Sequence, residues 1–188
     1  MIDGIDIHER GYWLSKEVCE THVCDDILCN AIVKEYRGLN SVVDIGCGNG
    51  DYVKIIMESI CCIGYDGNPM TPYITDELCD VLDFSKPQDI GKFDLVLSLE
   101  VGEHIPKKYE SIYIDNLVRA AKKDICISWA IKGQGGSGHV NCQDNDYVIS
   151  VMDNLGFNYL PKRSNNLREA ATISWFKNTI LCFEREIL

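Results

Sequence analysis

Short apolar runs alternate along the chain with longer stretches in which apolar residues recur every three or four positions. The short runs predict strands at 41–46, 61–66, 81–84, 93–99, 124–130, 157–160 and 179–184. The longer stretches predict helices at 26–36, 52–60, 109–121 and 144–155. Strands that alternate with helices in this way are typical of an α/β, doubly wound, mostly parallel sheet with helices on both faces.

The predicted strand at 93–99 is almost continuously apolar, as expected of a central strand that is covered on both faces. The chain of 188 residues shows no internal repeat and no linker, so we expect one globular unit. Within it we divide the chain into an N-terminal helical cap segment, 1–40, and a sheet domain, 41–188.

Composition narrows the class of protein. Apolar residues make up 46% of the chain, and neither a membrane span nor a secretory signal is recognisable in the sequence. The 10 cysteines are therefore interpreted as reduced thiols in a cytoplasmic protein. A net charge of -11 repels phosphate backbones, which argues against nucleic acid as the main partner.

A glycine-rich turn follows the first predicted strand, in the stretch VVDIGCGNGDY. Asp66 ends the second strand, 66 − 46 = 20 residues after Gly46, where a carboxylate can accept hydrogen bonds from ribose hydroxyls. The dinucleotide pattern would require glycine at position 51, but the chain has Asp51, which would repel a pyrophosphate. S-adenosylmethionine has no phosphate and carries two cationic groups, so the charges favour this cofactor over NAD.

The ordered motifs VVDIGCGNG, YDGNP, VLDF and FDLVLSLEVGEHI resemble those of class I S-adenosylmethionine-dependent methyltransferases, most strongly over 41–131. The resemblance implies a seven-stranded Rossmann-like sheet whose last strand is antiparallel, with 41–188 as the methyltransferase domain. It also implies which residues hold the cofactor. These are Asp44, Gly46, Cys47, Gly48 and Gly50 for the amino-acid part, Asp66, Gly67 and Asn68 for the ribose and adenine, Asp83 and Phe84 for the adenine, and Leu99 beside the methyl group.

Three polar residues follow the fourth predicted strand, namely Glu100, Glu103 and His104. A fourth, His139, comes after the fifth strand, in the glycine-rich stretch GQGGSGHVN. Since neighbouring parallel strands end at the same edge of the sheet, we expect the two loops to face each other. Two carboxylates and two imidazoles are a ligand set that suits Mg²⁺ or another divalent metal with open positions.

The pattern E-x-x-E-H followed by a later histidine is similar to that of metal-dependent O-methyltransferases that bind vicinal hydroxyls. Three interpretations stay open for these four candidate catalytic residues: a metal site, a metal-free site in which His104 or His139 is the general base, and a loop that only packs. The acidic chain favours a small diol or catechol-like acceptor over RNA.

We therefore expect a methyltransferase that acts on a small molecule, with oxygen as the favoured acceptor atom. Two alternatives remain: a methyltransferase-like regulatory protein that binds the cofactor without turnover, and a protein or peptide methyltransferase that needs a partner subunit. The sequence indicates neither the acceptor's identity nor an oligomeric state.

Overall fold

The computed structural model describes residues 6–16 and 22–186, and it contains one seven-stranded mixed sheet. Its strands, numbered in chain order, are β1 Ser41–Ile45, β2 Cys61–Asp66, β3 Cys79–Val81, β4 Phe93–Ser98, β5 Ala121–Ile127, β6 Phe157–Tyr159 and β7 Leu181–Arg185. They lie side by side in the order β3-β2-β1-β4-β5-β7-β6. Strand β7 runs antiparallel to both β5 and β6, and the other pairs are parallel, so the predicted fold class is confirmed.

The helices of the described part are α1 Asp26–Glu35, α2 Asp51–Met57, α3 Thr71–Ile74, α4 Glu110–Ala120, α5 Asn145–Asn154, α6 Pro161–Ala170 and α7 Phe176–Thr179. A 3₁₀ turn, Lys107–Tyr109, leads into α4. No helix within the described ranges has the length and apolarity needed to cross a lipid bilayer.

Two hydrophobic cores lie on opposite faces of the sheet. Helices α1, α2 and α6 pack on one face, where Val42 and Leu95 point, while α4 and α5 pack on the other, where Val43 and Val96 point. Successive residues of a strand point to opposite faces, so a doubly covered strand must be apolar at nearly every position. This explains the continuous apolar run of β4.

Helix α1 belongs to the same core as the first strand. The Asp25 carboxylate caps this helix by accepting a hydrogen bond from the Leu28 N–H at 3.0 Å. Its other oxygen accepts from the N–H groups of Thr172 and Ile173 at 2.6 and 2.8 Å, which ties the start of α1 to the segment after α6. The division into a cap segment 1–40 and a domain 41–188 stays a prediction.

Two strands begin and end earlier than predicted. Strand β3 is Cys79–Val81, not 81–84, because Asp83 bends the chain by accepting hydrogen bonds from the Ser85 N–H and hydroxyl. Strand β5 is Ala121–Ile127, not 124–130, because Ser128 leaves the sheet to bond Glu100. Helix α6 was missed: its sequence PKRSNNLREA is strongly polar and lacks an apolar period.

Candidate active site

The turn after β1 packs so closely that side chains have no room at two of its glycines. Gly46 has φ 83°, and a Cβ there would lie 2.3 Å from Val101. Gly48 has φ 55°, and its Cβ would lie 2.2 Å from the His22 ring. Both positive φ values are rare for residues with a side chain, so the glycines allow the backbone itself to form the floor of a cleft.

That cleft is a cavity of about 420 Å³ at the carboxyl ends of the central strands, where open α/β sheets bind ligands. Nine of the eleven residues predicted to hold the cofactor line it: Asp44, Gly46, Cys47, Gly48, Asp66, Gly67, Asp83, Phe84 and Leu99. The other two, Gly50 and Asn68, do not line the cavity but pack behind it. Gly50 faces Thr75 and Cys79, and the buried Asn68 donates to the Ser15 carbonyl oxygen at 3.0 Å.

Asp66 is fixed by two backbone donors. Its Oδ1 accepts from the Asn68 N–H at 2.8 Å and its Oδ2 from the Gly48 N–H at 3.0 Å. The carboxylate therefore connects the end of β2 to the glycine turn. Each of its oxygens can accept a further hydrogen bond, so ribose hydroxyls would find acceptors already in position.

Asp44 lies beside this carboxylate and is buried. Burial and the nearby charge of Asp66 raise the pKa of Asp44 to about 7. A cationic group in the cavity, such as an ammonium or a sulfonium, would favour the ionised form of Asp44.

Asp83 marks the other end of the cavity. Burial opposes its ionisation, but hydrogen bonds from Ser85 and Lys86 leave the pKa of Asp83 below its usual value. The Lys86 Nζ lies 3.2 Å from its Oδ2, and the Arg10 Nε lies 3.9 Å from the same oxygen. Asp83 thus stays ionised beside the aromatic ring of Phe84.

A short N-terminal hairpin, residues 6–16, covers the cavity. Ile7 and Trp13 form an antiparallel bridge, and the His8 N–H donates to the Tyr12 carbonyl oxygen at 2.9 Å. Tyr12 packs over Gly67, where a Cβ would come within 2.6 Å of it. The ring of Trp13 meets the His104 ring edge-on, with centroids 5.5 Å apart. Both aromatic residues line the cavity.

The loops after β4 and β5 meet as predicted. The N–H groups of Val140 and Asn141 both donate to the Glu103 carbonyl oxygen at 2.9 Å. Asn141 is held in turn, because its Nδ2 donates to Glu110 at 2.8 Å and its carbonyl oxygen accepts from the Trp129 indole at 2.7 Å. This arrangement brings His139 next to Glu103 and His104.

Glu103, His104 and His139 form a compact group. One potential ligand atom of each lies within 4.8 Å of those of the other two. Glu103 is completely buried, and among the described residues its two carboxylate oxygens have no hydrogen-bond partner, nor does the His104 Nδ1. Buried polar atoms are rarely left unpaired, so this group has the properties of a binding site.

Glu100, the fourth predicted member, is not one of the three clustered ligand residues, although its carboxyl group interacts with that of Glu103. Its backbone φ is 54°, a strained value for glutamate. The Ser128 hydroxyl accepts from the Glu100 N–H at 2.7 Å and donates to Oε1 at 2.8 Å, while the Gln134 amide donates to Oε2 at 3.1 Å. Its carboxylate still lines the cavity, but with both oxygens already bonded.

Burial controls the protonation of this region. It raises the pKa of Glu100 and, together with the charge of Glu100, raises the pKa of Glu103 well above its usual value. Burial and the neighbouring His139 lower the pKa of His104 to about 4. His104 is therefore neutral at pH 7, the form in which an imidazole accepts a proton or a metal.

Several residues of the cavity were not predicted to act there. Ser128 and Gln134 hold Glu100, and Trp175 lies at the cavity edge with 39% of its surface exposed. The sequence signal for the first two is only their position after a strand at the ligand-binding edge. Trp175 carries no local signal, because α7 packs there through tertiary contacts.

Comparison with known proteins agrees with this description. No protein-family profile matches the chain. An alignment 115 positions long, which covers 51% of this chain and 32% of the relative, shows 31% identity to the chloroplastic tocopherol O-methyltransferase of Arabidopsis thaliana. The chain thus spans about a third of the length of this curated relative.

Solved methyltransferase structures share the fold. Magnesium protoporphyrin IX methyltransferase from Synechocystis PCC 6803 with bound SAH superimposes with a TM-score of 0.63 at 19% identity, over 86% of this chain and 81% of that one. The sugar N-methyltransferase of a Streptoalloteichus species gives 0.67 at 10% identity, over 89% and 90% of the two chains. The chain therefore has the class I methyltransferase fold that its motifs predicted.

Proposed function

We propose that the protein is an S-adenosylmethionine-dependent methyltransferase that acts on a small molecule, with oxygen as the favoured acceptor atom. The observation that carries the proposal is that the glycine turn and Asp66 line the same cavity as His104 and His139, and that these two histidines adjoin the buried Glu103. The first set suits an adenosine cofactor and the second suits an acceptor hydroxyl. The fold alone would not select this chemistry.

The proposed cofactor extends from Asp83 to the glycine turn. Asp83 and Phe84 would contact the adenine, Asp66 would accept the ribose hydroxyls, and Asp44 would face the cationic part. The methyl group would then lie near Leu99 and Glu100, beside the carboxyl end of β4. The lining of the cavity by these residues supports this placement.

The reaction is a direct displacement. An acceptor oxygen forms a bond to the methyl carbon as the bond from that carbon to the sulfonium breaks, and S-adenosylhomocysteine leaves. The acceptor must lose its proton, so a base has to lie near the oxygen. The neutral His104 and the adjacent His139 are the candidates, since their ring centroids are 5.0 Å apart at the same side of the cavity.

A divalent metal such as Mg²⁺ fits the second set of residues. The two unpaired oxygens of the buried Glu103, the unpaired His104 Nδ1 and the nearby His139 offer the mixed oxygen and nitrogen ligands that such ions accept. Glu100 is held by Ser128 and Gln134, and its carboxylate keeps acceptor capacity beyond these two hydrogen bonds. A bound metal lowers the pKa of a coordinated hydroxyl, which would favour a diol or catechol-like acceptor.

Two alternatives make different predictions. A regulatory protein without turnover would bind S-adenosylhomocysteine but transfer no methyl group, and the unpaired polar groups of Glu103 and His104 argue against it. A protein or peptide methyltransferase would need a partner subunit. The curated relative is named for a small-molecule O-methyl acceptor, which supports the small-molecule proposal. The cytoplasmic setting stays a prediction, and that relative is named as chloroplastic.

Ligand binding and transfer can be tested on one preparation. S-adenosylhomocysteine should raise the melting temperature while NAD should not, because bound ligand stabilises the folded state. Methyl-labelled S-adenosylmethionine with catechol and Mg²⁺ or Mn²⁺ should then give a labelled methyl ether. Stabilisation without transfer to any of a panel of phenols, diols and amines would favour the regulatory alternative. Stabilisation by NAD alone would refute the proposed cofactor.

A further inference from the structure

The cavity is strongly acidic for a site that must hold an amino acid. Asp44, Asp66, Asp83 and Glu100 all line it. The chain's 18 lysines and arginines all fall within the described ranges, and none of them is among the lining residues. S-adenosylmethionine carries an α-carboxylate, so, if the proposed function is correct, this anion must find a partner that is neither lysine nor arginine.

Most backbone N–H groups of the glycine turn are already hydrogen-bonded within the protein and cannot donate to that carboxylate. The N–H groups of Gly46 and Cys47 both donate to the Tyr65 carbonyl oxygen, at 2.7 and 3.1 Å. The Gly48 N–H donates to the Asp66 carboxylate at 3.0 Å, and the Gly50 N–H donates to the Cys47 carbonyl oxygen at 2.9 Å. Among the described amides of the turn, only the Asn49 N–H is left.

The polar side chains of the turn are engaged as well. The Asn49 amide nitrogen donates to Asp51 at 2.7 Å, and its oxygen accepts from the Asp51 N–H at 3.2 Å. The Tyr52 hydroxyl accepts from the Asp25 N–H at 3.3 Å, so this neutral group retains only its own proton to donate. Neither side chain can balance a negative charge.

His22 lies against the glycine turn, the part of the cavity where the amino-acid part of the proposed cofactor would lie. Its ring lines the cavity and lies directly over Gly48, as the 2.2 Å between its Nδ1 and the position of a Gly48 Cβ shows. Burial lowers the pKa of His22, while the nearby charges of Asp66 and Asp51 oppose this shift. His104 and His139 belong to the group around Glu103 on the opposite loops.

We propose that His22 binds the α-carboxylate of the cofactor's amino-acid part and thereby distinguishes the complete cofactor from adenosine compounds that lack it. An imidazole N–H donated to a carboxylate is a charge-assisted hydrogen bond, stronger than one between neutral groups. The histidine would act on binding and not on the transferred methyl group. The proposal rests on the proposed cofactor.

Two ligands that differ in the amino-acid part test it. Calorimetry would compare S-adenosylhomocysteine with 5′-methylthioadenosine, which keeps the adenosine and the thioether but has no α-carboxylate. In His22→Ala, the affinity for S-adenosylhomocysteine should fall by about 10-fold or more, the usual effect of losing a hydrogen bond to a charged group. The affinity for 5′-methylthioadenosine should change less than about two-fold. His22→Gln, which keeps a donor, should recover part of the loss.

His8→Ala is the matched control, because His8 stacks on Tyr12 at 4.4 Å and does not line the cavity. It should leave the ratio of the two affinities unchanged. An equal loss for both ligands in His22→Ala would mean that His22 only supports the glycine turn, and no loss for either would also refute the proposal. A wild-type protein that binds neither ligand would refute the proposed cofactor itself.

Discussion

The Nε2 of His139 lies 4.0 Å from Oε1 of Glu103, although the two residues belong to loops that follow different strands. The contact joins a partly exposed imidazole to a completely buried carboxylate whose oxygens have no hydrogen-bond partner within the described ranges. An isolated buried carboxylate destabilises a fold, as its raised pKa also indicates. A ligand that pairs with Glu103 would remove that cost, and this makes the pair the most informative place to change the protein.

Glu103→Gln should separate ligand binding from folding. The variant removes a charge and one ligand atom but keeps the shape, so Mn²⁺ affinity measured by calorimetry should fall at least about 10-fold. Its melting temperature without metal should be equal to or above that of the wild type, because the variant no longer buries an ionisable carboxyl group. The exposed Glu169→Gln is the control and should change neither quantity. Wild-type Mn²⁺ affinity in Glu103→Gln would show that no metal binds here.

The meeting of Glu103 and His139 could be predicted from the sequence, since it needs only the parallel neighbours β4 and β5 and the residues that follow them. The hydrogen bonds that hold Glu100 could not be predicted in this way. They depend on Ser128 and Gln134, and spacing along the chain carries no information about which carboxylate will find such partners. The hairpin conformation of residues 6–16 could not be predicted either, because its contacts with Asp83, Gly67 and His104 are tertiary and leave no local period.

The glycine turn, in contrast, could be predicted from the sequence alone. Its conformation follows from local requirements, namely positive φ values at Gly46, Gly48 and Gly50 and a following helix, so the motif alone located it. The end of β3 was misplaced for an equally local reason that the apolar pattern hides. Asp83 bonds Ser85 two residues later, and this bend ends the strand although Leu82 and Phe84 are apolar.

Asp44 should make both stability and cofactor binding depend on pH. Its pKa is raised to about 7 in the folded protein by burial and by Asp66, so between about pH 4 and 7 the folded state binds more protons than the unfolded state. The contribution of Asp44 to the free energy of unfolding should therefore fall as the pH rises from about 4 to 7, by at most about 1.4 kcal/mol per pH unit. Above about pH 7 this contribution should level off.

The affinity for S-adenosylhomocysteine should instead increase with pH, because the ammonium group of this ligand favours the ionised form of Asp44. This affinity should rise between pH 6 and 8, with protons released on binding, as calorimetry in buffers of different ionisation enthalpy would detect. Asp44→Asn should remove both the proton release and the fall in stability. The exposed Asp115→Asn should keep both. Proton release that persists in Asp44→Asn would assign the titration to another group.

Arg10 should hold the hairpin closed over the adenine end of the cavity. Its Nη1 donates to the Ser85 hydroxyl at 3.0 Å, its Nε lies 3.9 Å from Asp83, and its guanidinium stacks on Tyr109 at 4.7 Å. In Arg10→Ala, dissociation of S-adenosylhomocysteine should be about five-fold faster, corresponding to about 1 kcal/mol for a partly exposed ion pair. Stopped-flow measurement gives the rate. Arg37→Ala, at an exposed site, should leave it unchanged.

Gly11→Ala tests whether the hairpin must pack against the active-site loop. Gly11 has φ 100°, and a Cβ there would lie 2.0 Å from the His104 carbonyl oxygen, so the hairpin would have to lift. Gly38→Ala is the matched control, because Gly38 has a nearly identical φ of 97° with no atom within 4 Å of the Cβ position. Both variants acquire backbone strain, but only the first acquires a clash, which typically costs about 1–3 kcal/mol. Gly11→Ala should therefore be cleaved faster by protease within the hairpin and should bind S-adenosylhomocysteine more weakly than Gly38→Ala. Equal behaviour of the two variants would mean that the hairpin and the His104 loop do not depend on each other.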